Sequence, residues 1–164
     1  MSGSRGSYTP PTRDRHPAQW LTLAVGLAFV LAGIAGFAMT GFDGFAAPDG
    51  ELLLGIFEVN PLHNLVHLLI GLAGTAMWVR LGTARTYGWL LAIGYGATFA
   101  YGLVVADSSD RGNFLAVNGS GNWLHVTSAA LGLAIALWPT KDATDWRRPV
   151  PPSKKADDHR RSRH

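Results

Sequence analysis

Hydrophobic and polar positions fall in long blocks along this chain, not at the short periods of a water-soluble domain. Four apolar runs reach the roughly 20 residues needed to cross a bilayer core about 30 Å thick. They are Trp20 to Thr40, Pro61 to Val79, Tyr87 to Ala106 and Asn122 to Pro139, and none contains Asp, Glu, Lys or Arg. A soluble core accommodates one such helix but not four of this length. The pattern therefore predicts an all-α fold, an integral membrane four-helix bundle over residues 19–140. Residues 1–18 and 141–164 are rich in Ser, Gly, Pro and charge and predict disordered tails. The first run exceeds the roughly 7–15 apolar residues of a signal peptide and follows a hydrophilic segment, so a retained anchor is expected.

The connections orient these runs. Residues 41–60 carry Asp43, Asp49, Glu51 and Glu58 and no base, whereas the short second connection carries Arg80 and Arg85. Arg5, Arg13 and Arg15 precede the first run, and a strongly basic segment follows the last. Lys and Arg thus gather on one side. Both tails and the 80–86 connection are expected in the cytoplasm, with the two longer connections outside a bacterial plasma membrane. Within the first outer connection, Leu52 to Val59 (LLLGIFEV) is too short to span. It is expected either as an interfacial helix at the headgroups or as a loop packed over the outer helix ends.

Composition sharpens the picture. Charged residues make up only 15% of the chain, and there are 20 glycines but no cysteine. The last point excludes disulfides, thiolate metal sites and cysteine nucleophiles. The net charge of +3 combines strongly basic tails with a slightly acidic middle, which argues against nucleic acid and for the lipid bilayer as partner. Small residues recur at four-residue spacing: Ala24, Ala28, Ala32 and Gly36; Gly88, Ala92, Gly96 and Ala100; Ser128, Gly132 and Ala136. Such stripes let helix backbones approach closely in lipid, and one facing outward would support a homo-oligomer.

Candidate chemistry concentrates in a repeat. FEVNPLHNLVH (57–67) aligns without gaps to LAVNGSGNWLH (115–125), matching Asn60 to Asn118, Asn64 to Asn122 and His67 to His125, with Gly74 and Gly132 continuing the register. Two tandem helical hairpins in parallel orientation are expected. On a helix, Asn60, His63, Asn64, His67, Gly71 and Gly74 share one face, so these polar groups should point into the bundle. One reading is a structural or partner-facing polar network, with Asn60 and Asn118 capping their helices. The other is a divalent-metal or haem site built from His63, His67 and His125, with Glu58 as a fourth ligand; His63 and His67 stand at i, i+4. No nucleotide loop, nucleophile elbow or zincin signature is present, so the expectation leans away from an enzyme.

VNPLHNLVHLLIGLAG followed by VNGSGNWLHVTSAALGLA resembles the bacterial membrane family catalogued as domain of unknown function 4383. The resemblance covers roughly residues 18–140. It implies four spans and draws attention to Asn60, His63, Asn64, His67, Asn122 and His125, but it implies no activity, substrate or cofactor.

Overall fold

Helix α1, Pro17–Thr40, begins where His16 caps it: the imidazole Nδ1 accepts from the Ala18 amide while the Gln19 side chain accepts from the His16 amide. Pro17 at the first helical position loses nothing by lacking an amide hydrogen. The helix stops at Gly41, whose φ of 59° closes the last turn through its amide to Phe37 O. The computed structural model describes residues 14–140; the expected tails lie largely outside them.

Among the described residues three further helices follow: α2 (Pro61–Met77), α3 (Leu81–Val105) and α4 (Gly119–Leu137). Asn60 and Asn118 cap α2 and α4 by accepting from the His63 and Gly121 amides, as the sequence led us to expect. Helix α3 starts six residues before its apolar run and absorbs most of the expected 80–86 connection. Thr83 makes this abrupt start workable by donating to both Met77 O and Arg80 O.

The fold is all-α except for one small hairpin. Strands β1 (Glu51–Leu53) and β2 (Phe57–Val59) pair antiparallel, with Glu51 opposite Val59 and Leu53 opposite Phe57. The expected interfacial helix is therefore corrected to a β-hairpin. Leu54 and Gly55 both turn at positive φ, which a helix does not permit, and LLLGIFEV is too short for a stable helix of its own. A glycine between the apolar runs Leu52–Leu54 and Ile56–Phe57 is itself a hairpin signal.

The helices pack as two antiparallel pairs, α1 with α2 and α3 with α4, and contacts between the pairs are far sparser. Glycine makes each pair close. A Cβ at Gly71 would stand 2.5 Å from Val30 N and 2.7 Å from Gly26 O; at Gly132 it would stand 2.5 Å from Ala92 N and 2.7 Å from Gly88 O. Backbone meets backbone at these points, the arrangement small-residue stripes favour. Between the pairs lies a core of Val25, Tyr87, Leu91, Tyr95 and Ile135, against which Phe29 and Ile70 pack.

One end of the molecule is tied by basic side chains. Arg15 donates to Val79 O and its guanidinium sits 4.2 Å above the Trp78 ring; Arg85 donates to Trp138 O. Both cations thus meet the carbonyl ends of α2 and α4, where a helix dipole favours positive charge. Gln19 adds bonds to Trp78 O and Val79 O. The polar cluster lies toward the opposite end.

Candidate functional site: the asparagine and histidine cluster

Each repeat supplies a capping asparagine, and each reaches across to the other hairpin. Asn60, 1% exposed, donates from Nδ2 to Ala47 O and Phe114 O, both at 2.8 Å. Asn118 donates to Ile56 O at 2.8 Å. The acceptors Ile56 and Phe114 are separated by the same number of residues as Asn60 and Asn118. The two bonds are therefore reciprocal, each cap bracing the segment that leads into its counterpart.

The second asparagine pair is seated by glycine. Asn64 fits against Gly36 and Asn122 against Gly102, where a Cβ would collide with the amide group in either case. Asn64 donates to Thr40 Oγ1 at 3.0 Å and Asn122 to Phe99 O at 3.3 Å, so each ties its helix to its hairpin partner. Asn113, which the sequence reading passed over, organises the second long connection. It donates to Ser108 O and Val117 O and accepts from the Val117 amide. An asparagine within a Gly- and Asp-containing segment was the available signal.

The histidines behave differently. His63 Nδ1 lies 2.9 Å from Leu115 O, and since a carbonyl only accepts, Nδ1 carries the hydrogen. With the imidazoles neutral, His63 Nε2 must then accept from His67 Nε2, 3.1 Å away. That leaves His67 Nδ1 a bare acceptor, buried and without a partner. His125 Nδ1 approaches Asn122 Oδ1 at 3.4 Å. Its ring lies 5.8 Å from His63 and 5.6 Å from Tyr95, centroid to centroid. The hairpins thus meet through His63 and His125, while His67 turns toward Phe29 at 5.2 Å.

Two apolar cavities flank this septum. One, of about 380 Å³, lies between α2 and α3. The other, of about 330 Å³, is bounded by α1, α4 and the β-hairpin. His63, His67, Tyr95 and His125 line both. Tyr87 and Tyr95 were not anticipated as part of the site, yet their hydroxyls are buried without hydrogen-bond partners. Nothing in the local sequence distinguishes them from ordinary core tyrosines.

Glu58 sits on β2 and accepts from the Gly50 amide at 2.9 Å. Among the described residues no group of three or more His, Asp or Glu side chains is arranged to hold a metal ion. Of the residues expected to pack helices, Gly36, Gly71, Gly74 and Gly132 stand at close contacts, and Gly26, Gly33 and Gly102 join them. A Cβ at Gly96 would meet nothing within 4 Å; Ala28 and Ala32 line the second cavity.

The family model described as "Domain of unknown function (DUF4383)" matches residues 19–138, from the first turn of α1 to the end of α4. The chain belongs to this family. The matched region contains every residue of the asparagine and histidine cluster, so the cluster lies within the family domain. No curated protein and no solved structure matches the chain.

Proposed function

We propose that this member of the DUF4383 family is a four-span integral protein of the plasma membrane, with residues 1–18 and 141–164 on the cytoplasmic side. In this reading it is a non-enzymatic membrane component built from a duplicated hairpin, and its asparagines form a structural lock. The observation that carries the reading is an inverted distribution of polarity. Gln19, Thr22, Asn60, Asn64, Asn122 and His125 are buried, whereas Leu31, Ile93, Leu103 and Trp123 are 66–71% exposed. Water disfavours that arrangement on both counts, and hydrocarbon favours it on both.

Helices α1 and α3 are long and apolar enough to cross a membrane. Helix α2, with 17 residues, extends about 25 Å at 1.5 Å per residue, at the short end of what spans. It reaches the interfaces together with its longer partner. Arg15, Arg80 and Arg85 mark the cytoplasmic end by the excess of Lys and Arg. The reciprocal Asn60 and Asn118 bonds support duplication, because they repeat one contact at the sequence register of the repeat.

Because the chain lacks cysteine, single-cysteine labelling tests the topology directly. Ser109→Cys should react with a membrane-impermeant maleimide in intact cells, and Thr83→Cys only after permeabilisation. Equal labelling of both in intact cells would refute the orientation.

The 3.1 Å separation of His63 Nε2 and His67 Nε2 favours one second reading, a divalent cation in place of the shared hydrogen. The Leu115 carbonyl would then orient His63 as an outer partner orients a metal-bound imidazole. Elemental analysis of protein purified without chelator decides it. Stoichiometric zinc or another divalent metal, lost in His67→Leu, would establish the metal reading, and metal below about one-tenth equivalent would remove it.

A further inference from the structure

We propose that the cavity between α2 and α3 binds the head group of a neutral aromatic amphiphile of the lipid-soluble quinol class. Three observations converge there. The cavity holds about 380 Å³, within the roughly 300–1,000 Å³ of small-molecule sites. No Asp, Glu, Lys or Arg lines it, so a charged head group would be buried without compensation. Two polar atoms of its lining residues are buried and unpartnered, His67 Nδ1 and Tyr95 OH, whereas the Tyr87 hydroxyl packs against Gly74 at the α1–α2 crossing. Buried polar groups are rarely left so, and each unmade bond is a standing destabilisation that a ligand can relieve.

The polarity of those atoms selects the ligand. Leu115 O fixes the hydrogen on His63 Nδ1, which directs the His67 Nε2 hydrogen to His63 and leaves His67 Nδ1 able only to accept. The Tyr95 phenol has a hydrogen to give. A matching head group must therefore donate one hydroxyl and also accept. A quinol does both on a small planar ring, and the tilted rings of Tyr95 and His125 offer it aromatic neighbours. The corresponding quinone accepts but cannot donate, so it should bind more weakly. Leu69 and Leu90, both exposed, flank the opening between α2 and α3. An isoprenoid tail can leave there into lipid. Access by that route rests on the membrane reading, but binding is measured separately from topology.

The test uses the full chain in lipid nanodiscs, titrated with decylubiquinol and decylubiquinone, with decanol as control. Saturable quinol binding is expected, about three- to tenfold tighter than the quinone, as one additional hydrogen bond allows. Tyr95→Phe should weaken both forms by about three- to tenfold while leaving the ligand-free melting temperature unchanged or raised, since it removes an unpartnered hydroxyl. His67→Phe should abolish the preference for quinol. No saturable binding beyond partition into empty nanodiscs would overturn the proposal. So would binding unchanged in Tyr95→Phe, and decanol binding as tightly as quinol would overturn the quinol class. None of these outcomes alters the labelling pattern at Ser109 and Thr83, so failure here and failure of the membrane reading are distinguishable.

Discussion

Alanine at Asn60 should lower the free energy of unfolding by about 2–4 kcal/mol, measured by steric trapping or denaturing-detergent titration. The size follows from three separate losses. The α2 cap contributes about 1 kcal/mol, and the carbonyls of Ala47 and Phe114 each lose a donor at a part-buried site. Asn118→Ala should cost less, about 1–2 kcal/mol, because Asn118 braces one carbonyl and is less buried. Asn60→Asp separates capping from bracing. Aspartate caps a helix as well as asparagine does, but here it would aim a carboxylate at two carbonyl oxygens. It should therefore destabilise more than alanine. If aspartate instead preserves stability, the cross-hairpin bonds contribute little and the lock is only a pair of caps.

Gly132→Ala should destabilise the protein by about 1–3 kcal/mol or prevent its accumulation, although alanine is intrinsically the better helix former. The added methyl would meet Ala92 N at 2.5 Å and Gly88 O at 2.7 Å, and backbone atoms cannot rotate aside. Relief requires α3 and α4 to separate along their length. Gly71→Ala should behave alike through Val30 N and Gly26 O. The same substitution at Gly96 is the contrast, with nothing within 4 Å of the new methyl. It should leave monomer stability unchanged or raise it by up to about 1 kcal/mol. Loss of a crosslinked or chromatographic oligomer in Gly96→Leu, with the monomer intact, would assign that outward position to contact between copies. Equal damage from Gly96→Ala and Gly132→Ala would refute the packing argument.

Asn60 with Pro61 after it is a local capping signal, complete within four residues, and the helix begins where it predicts. Glycine periodicity is ambiguous by comparison. Ala24, Ala28, Ala32 and Gly36 keep perfect spacing, yet the face of α1 that meets α2 carries Gly26 and Gly33 beside Gly36. In a helix apolar all round, nothing local says which stripe faces a partner. The start of α3 was hidden for a related reason: Arg85 and Thr86 read as a connection, but they extend a helix whose first turn needs no membrane.

The sequence by itself determined the four helices, the caps at Asn60 and Asn118, and the clustering of polar groups at the start of α2 and α4. These depend on contacts within a few residues or on hydrophobicity summed over one helix. Tertiary structure alone decided that the caps brace opposite hairpins, that His63 and not His67 faces His125, and that Tyr87 and Tyr95 complete the lining of the cavity. Those relations depend on the rotation and depth of one hairpin against the other. The cross-hairpin bonds of Asn60, Asn118 and His63 to Phe114 O, Ile56 O and Leu115 O hold that geometry, and no stretch of the chain encodes it alone.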